Sequence, residues 1–268
     1  MEVRRRSIMG LPSFITPIMG KKKGYLPLTT AWKAATSETD TTILNALNTF
    51  EAGLIANSLT GKFNAIYPFV GGTPGKHSFN FINTLTFQLT FFGGWTHSAT
   101  GALPNFNSYA NTGLTPSTVL SLNDAHLSVY TRTNTNAGVD IGSSVTFPTR
   151  HCYLASRSAG NYIGNINQAT NSLVANANSQ GWFTTSRTGV TTLTGYKNGT
   201  SILASVDVST AMSTQPIWLA ARNLDGNIVN GSVREQAFAS IGSGLTAGEV
   251  STLYTLIQAM QTSLSRQV

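Results

Sequence analysis

Cysteine is nearly absent: Cys152 is the single one in 268 residues. An intrachain disulfide framework is therefore excluded, and folding in a reducing cytoplasm is the expectation. Charge is scarce as well, at 10% of residues against about 25% in ordinary soluble proteins. No apolar run reaches the roughly 20 residues of a membrane-spanning helix. The phosphate-cradling Gly-x-x-x-x-Gly-Lys-Ser/Thr loop is missing, since Gly71-Gly72-x-x-Gly75-Lys76 has the wrong spacing. No repeat of solenoid length is present. The ten acids are Glu2, Glu38, Asp40, Glu51, Asp124, Asp140, Asp207, Asp225, Glu235 and Glu249. Glycan cleavage needs two carboxylates converging within about 5–9.5 Å. The one i, i+2 pair, Glu38/Asp40, stands at a predicted helix start, where capping accounts for it. An enzyme is not expected.

What fills the chain instead is Thr, Ser, Asn and 25 glycines around a 41% hydrophobic fraction. This composition suits short strands, many turns and an uncharged polar surface. The net charge of +7 is concentrated at the amino end, where Arg4, Arg5, Arg6, Lys21, Lys22 and Lys23 oppose Glu2 alone. The rest is near neutral, so nucleic acid is not an expected partner. Residues 1–35 read as a docking arm. Pro12, Pro17 and Pro27 forbid a continuous helix, and Phe14, Ile15 and Ile18 are too apolar for a solvated tail. The arm either lies on another protein or adds a strand to its own sheet. A signal peptide fits less well, because prolines interrupt the apolar stretch and lysines follow it.

Residues 36–62 read as a helical linker. Asp40 is a candidate N-cap, and Ile43, Leu47, Phe50 and Leu54 form one apolar face. That stripe packs either on the β-domain or on another copy of the chain, and homo-oligomerisation is expected. Residues 63–268 read as one β-domain with a closing helix over 246–265, begun by the capping box Thr246-x-x-Glu249. Strands are predicted at Phe79–Ile82, Leu85–Phe92, Val119–Leu122, His126–Arg132, His151–Ser156 and Tyr162–Ile166. Gly94–Asn111 reads as a long polar loop with Trp95, Phe106 and Tyr109 embedded in it.

The clearest stretch is Gly181–Gly199. Trp182, Thr184 and Ser186 alternate with Phe183, Thr185 and Arg187 as in a half-buried strand, and Asn198-Gly199 is a strong hairpin turn. Arg187-x-Gly189 followed by Tyr196-x-Asn198-Gly199 resembles the central hairpin of laminin-G-like domains of the concanavalin A-like lectin/glucanase superfamily. Ile217–Asn223 and Phe238–Gly242 followed by Leu245–Glu249 extend the likeness. It implies a mainly β, jelly-roll β-sandwich, with Phe183, Tyr196, Trp218 and Phe238 buried. Ile66–Gly72, Leu89–Ser98 and Gly101–Asn105 further resemble a type of bacteriophage structural protein. That resemblance implies a virion component made in the host cytoplasm, a head decoration or tail-associated part with other virion proteins as partners.

Fold analogy also makes calcium possible, with Asp124, Asp140 and Asp225 in predicted loops; no other cofactor or metal is expected. His151 and Cys152 point to opposite faces of a strand, and His97 and His126 stand alone in the sequence. Carbohydrate binding is the activity best matched by the residues, because sugars stack on aromatic faces and bond to amides. Trp95, His97, Asn105, Asn107 and Tyr109 are the candidate glycan- or receptor-binding residues. The competing reading has Trp95 and Tyr109 capping the sandwich core. Arg187 and Arg222 are expected to order loops through backbone carbonyls.

Overall fold

The computed structural model describes residues 24–268. Two helices come first, α1 (Pro27–Thr36) and α2 (Thr41–Ala56), then strand β1 (Phe63–Tyr67) and the one-turn helix α3 (Pro74–His77). Four short strands follow: β2 (Thr90–Phe92), β3 (Trp95–Ser98), β4 (Gly101–Pro104) and β5 (Tyr109–Asn111). After α4 (Pro116–Val119) come β6 (Ala125–Thr131), β7 (Ile141–Val145), β8 (Arg150–Ser158), β9 (Asn161–Gln168) and β10 (Leu173–Ala175). The chain continues through β11 (Gly181–Gly189), β12 (Thr192–Lys197), β13 (Thr200–Ser205) and β14 (Trp218–Leu219). It ends with β15 (Arg222–Leu224), β16 (Asn227–Val229), β17 (Gln236–Gly242) and α5 (Ala247–Ser263).

Among the described residues the strands form two sheets. Sheet A has eight, in the order β13-β12-β11-β6-β17-β4-β3 with β1 also on β17; sheet B has nine, ordered β10-β9-β8-β7-β14-β5-β2 with the β15–β16 hairpin beside β7. Pairing is antiparallel apart from the short parallel contact of β15 with β7. The inner core between the sheets holds Leu127, Val129, Ile141, Leu154, Tyr162, Phe183 and Leu219. A second core lies outside sheet A, where Tyr130, Trp182, Tyr196 and Phe238 meet Leu47, Phe50 and Leu54 of α2 and Leu253, Ile257 and Met260 of α5. Phe50 meets Phe238 edge-on at 5.8 Å.

This second core changes the reading of the central hairpin. Residues 181–187 are buried on both faces, not half-buried, because helices cover the side that alternation assigned to solvent. Phe183, Tyr196, Trp218 and Phe238 are buried as expected but in different layers: Phe183 lies between the sheets, and Tyr196 and Phe238 lie under the helices. The α2 stripe is likewise spent inside the chain, so it is not a spare face for self-association. Asn198 and Gly199 adopt φ of 50° and 78°, the left-handed pair that the β12–β13 turn requires.

The amino-terminal expectations need correction where they can be followed. From Pro27 on the segment is not extended: Pro27 opens α1, where its missing N–H costs nothing, and Trp32 is fully buried. The helix has no cap of its own. Instead Asn48 Oδ1 accepts from Leu26 N at 2.7 Å, and the Glu51 carboxylate of α2 accepts from Leu28 N, Thr29 N and Thr29 Oγ, each at 2.8 Å. The docking calls on Arg4, Arg5, Arg6, Phe14, Ile15, Ile18, Lys21, Lys22 and Lys23 lie outside the described residues. A deletion meant to test the arm therefore has to stop at Lys23, since removing Leu28 and Thr29 would strip Glu51 of its donors. Replacing Glu51 by alanine is expected to cost about 1–3 kcal/mol for the buried donors left bare. Hydrogen exchange should then show the Leu28 and Thr29 amides as the most accelerated in the chain; unchanged protection there would refute this account of α1.

Other local expectations give way to specific side chains. Residues 79–89 form turns rather than strands. The buried Asn80 amide takes the place of a ladder, accepting from Ile66 N and Ile82 N and donating to the carbonyls of Asn64 and Thr86. Val119–Leu122 is not a strand: Val119 ends the helical turn begun by Pro116, Leu120 leaves it in an extended conformation, and Ser121 only bridges Asp124 across a tight turn. Gly94–Asn111 is not a loop but the β3–β4 hairpin, with β3 at the edge of sheet A, followed by β5, which pairs with the edge strand β2 of sheet B. No helix among the described residues is long and apolar enough to cross a membrane.

Candidate functional site

The five candidate residues are not gathered in one place. Trp95 sits on β3 at the rim of the inner core, edge-on to Phe91 at 5.1 Å, with its indole N–H donating to Phe92 O at 3.1 Å. It caps the sandwich. Tyr109 is half-buried and stacked between Phe92 at 4.7 Å and Trp218 at 3.8 Å. His97 is not alone: its Nδ1 lies 2.9 Å from Nδ1 of the buried His77. Burial holds His77 down to about 3, with the charges of His97 and Arg266 adding to the effect, and burial also lowers His97. Both rings are therefore neutral near pH 7, one donating to the other. Asn105 and Asn107 occupy the β4–β5 turn and are exposed.

Of the five, Asn107 alone lines a cleft, of about 510 Å³, at one end of the sandwich. Four connections build it. The β4–β5 turn supplies Phe106 and Asn107, the β6–β7 loop Asn136 and Gly138, the β8–β9 turn Ala159 with Ser158 at the end of β8, and the β16–β17 loop Asn230 and Gly231. Phe106 is 73% exposed, an open aromatic face beside amides. Asn107 and Asn230 hold φ of 62° and 52°, which asparagine tolerates better than most residues. Neither side-chain amide makes a hydrogen bond among the described residues; Asn136 Oδ1 accepts from Gly160 N at 2.9 Å. Gly138 donates to Gly231 O at 3.3 Å, and a Cβ there would run into the Asn230 carbonyl, so glycine lets the two loops touch.

The cleft rests on a buried ion pair. Arg234 and Asp140 are fully buried and joined at 2.7 Å. Arg234 also donates to the carbonyls of Thr135, Arg157 and Gly138, at 3.0, 2.8 and 2.6 Å. Asp140 accepts from Ser232 Oγ and Ser156 N. One guanidinium thus ties the β6–β7 loop, the end of β8 and the entry to β17 together. Two more fully buried arginines use the same device. Arg187 donates to the carbonyls of Ile166, Gly189, Val190 and Asp207, as expected. Arg266 donates to Phe69, Pro68 and Ala237, and burial draws it down to about 9, still charged at neutral pH. Arg222 departs from expectation and lies over the Tyr153 ring at 5.0 Å.

The carboxylates are already engaged. Glu2 lies outside the described residues, and every other acid accepts an internal hydrogen bond or ion pair. Glu38 is held by Lys76, Glu235 by Arg132 and Glu249 by Lys62, and Asp207 accepts from Ser172 and Ser205. Asp40 caps α2, Asp124 accepts from Gly244 N and Asp225 from Thr146 N. Asp124, Asp140 and Asp225 thus have separate partners. Among the described residues no three His, Cys, Asp or Glu side chains cluster as a metal site. Cys152 is buried, with its thiol pushed up to about 12, and His126 is fully buried rather than a surface group.

Phe106, Asn136, Ser158 and Asn230 are the cleft residues that sequence reasoning did not single out. Phe106 carried a usable signal, an aromatic in a polar stretch without the alternation that would bury it. The others are unremarkable loop residues until the fold brings four loops together.

No protein-family model and no curated protein matches the sequence. Among solved structures, a Trypanosoma rangeli sialidase mutant displaying trans-sialidase activity superposes with a TM-score of 0.53 at 9% identity, over 80% of this chain and 39% of that one. The binding domain of botulinum neurotoxin serotype D gives 0.50 at 11% identity, over 74% and 53%. Domain 4 of the Geobacillus stearothermophilus arabinanase AbnA, in complex with arabinotriose, gives 0.45 at 13% identity, over 72% and 98%. The chain spans about half or less of the sialidase and neurotoxin structures. At these identities the sialidase and neurotoxin likenesses bear on architecture alone, and they agree with the topology: the chain is a mainly β, two-sheet antiparallel sandwich of the lectin-like jelly-roll class.

Proposed function

We propose that this chain is a non-enzymatic carbohydrate-recognition module that binds through the loop-end cleft. The observation that carries the reading is the combination in that cleft of an open aromatic face, Phe106, with the amides of Asn107 and Asn230. A sugar ring has an apolar C–H face that stacks on an aromatic and hydroxyls that pair with amides, so it matches both halves of the surface. The engagement of the described carboxylates in caps and ion pairs supports binding over hydrolysis. The sequence resemblance to bacteriophage structural proteins supports display on a virion, where the basic and apolar amino-terminal segment would dock to another particle protein.

A glycan array probed with the full chain tests the binding reading. Phe106→Ala is expected to weaken the strongest signal roughly tenfold, the loss of about 1–2 kcal/mol of stacking area. Trp95→Ala should act through stability instead, because Trp95 belongs to the core. An array with no signal above background would overturn the reading. Stoichiometric copy number in purified particles is the matching test of the virion role.

A further inference from the structure

We infer that the cleft selects an uncharged sugar, and that acidic glycans such as sialylated or uronate-bearing chains are excluded. This rests on the carbohydrate reading above and adds the chemical class of the ligand. Three amide residues, one hydroxyl residue, small residues and one phenyl ring make up the lining, with Val233 and Ala159 at its apolar margin. No Asp, Glu, Lys, Arg or His is among these lining residues.

Arg234 and Arg157 neighbour the cleft in the chain without being among its lining residues. Arg234 is fully buried beneath the loops and neutralised by Asp140. Arg157, adjacent in sequence to Ser158, donates to Asn134 Oδ1 at 3.3 Å. A carboxylate entering the cleft would lose water without gaining a cation, which is unfavourable in a partly enclosed site. A neutral diol or acetamido group meets no such cost. Each primary amide offers two donors and an acceptor, so Asn107 and Asn230 can each both give to and take from ring hydroxyls. A carboxylate group only accepts, so it can use the amide N–H donors but not the amide oxygens. The volume of about 510 Å³ falls in the range of small-molecule sites, which fits a terminal sugar or a short oligosaccharide.

The test is a paired titration of the full chain with neutral probes (galactose, N-acetylglucosamine and their disaccharides) and acidic probes (N-acetylneuraminic acid, glucuronic acid and sialyllactose), at low and high salt. A neutral probe is expected to bind with affinity independent of salt. Asn107→Gly/Asn230→Gly, which remove the amides at two left-handed positions without backbone strain, should weaken it by roughly tenfold or more, with the melting temperature little changed. Phe106→Ala reports on the same cleft without touching the amides. Preference for an acidic probe, with affinity falling as salt rises, would overturn the uncharged-ligand inference and leave carbohydrate recognition standing. Neutral binding that ignores both the Asn and the Phe106 substitutions would place the sugar elsewhere and overturn the inference. Failure of every probe, together with a silent array, would remove the carbohydrate reading itself.

Discussion

Arg234→Leu is expected to lower stability by roughly 3–5 kcal/mol, the cost of leaving a buried partner charge uncompensated. Asp140 is the group stranded. It is fully buried, and its other partners, Ser156 N and Ser232 Oγ, are neutral. The lost guanidinium also abandons three loop carbonyls. In a chain of this size each kcal/mol moves the melting temperature by about 2–4 °C, so a fall on the order of 10 °C should be seen in a thermal melt. The double variant Arg234→Leu/Asp140→Leu removes the stranded charge and should recover part of the loss. A single variant that melts with the native protein, or a double variant worse than the sum of its singles, would refute the account. Because the same arginine holds the β6–β7 loop and the end of β8 at the cleft, the glycan binding proposed for that cleft should fall in the single variant even at temperatures where it remains folded.

Acid should destabilise the fold through a buried histidine. His126 lies at the seam of β6 and β17, with Nδ1 donating to Ser243 O at 2.6 Å and Nε2 bonded to Ser240 Oγ at 3.0 Å. Burial lowers it to about 4; the Ser243 carbonyl and Glu249 pull the other way, and Lys62 adds to the lowering. The folded state therefore keeps this ring neutral in a range where the unfolded chain, titrating near 6.5, takes up a proton. Stability is complete above the unfolded value and is lost as pH falls from about 6.5 toward 4. A shift of this size corresponds to about 3 kcal/mol. His77, lowered further, adds in the same direction. Urea midpoints measured from pH 7 to pH 4 should fall accordingly, and His126→Gln should flatten that slope while lowering stability at pH 7. A midpoint that is level across this range would show that His126 is protonated in the folded chain at little cost.

Much of this architecture follows from short-range chemistry. The Asn198-Gly199 turn, the Thr246–Glu249 capping box and the Asp40 cap stand where residue type alone places them, because each is decided within a few residues. The alternation at Gly181–Arg187 announces a strand for the same reason. Its burial on both faces does not follow, since the second cover comes from α2 and α5, distant in the chain. Long-range partners also made a helix of residues 27–36: Glu51 supplies the carboxylate that its first turn lacks. Asn80 turned an apolar stretch away from strand by taking up the backbone groups of two neighbouring segments.

The candidate site divides in the same way. The sequence by itself determined a strand-and-turn chain with a sparsely charged polar surface, because composition, alternation and turn residues act locally; the lectin-like class of its β-sandwich was what the resemblance at Gly181–Gly199 implied. Tertiary structure decided which of those residues can act together. Trp95 and Tyr109 look like sugar platforms in a linear reading, yet the edges of the two sheets draw them into packing against Phe91, Phe92 and Trp218. Phe106 is left outside because the β4–β5 turn reverses the chain before any sheet can cover it. Asn136 and Asn230 stand on loops that the Arg234–Asp140 pair ties together across more than 90 residues of chain, and the β4–β5 turn brings Asn107 beside them, an arrangement that no local pattern of residues encodes.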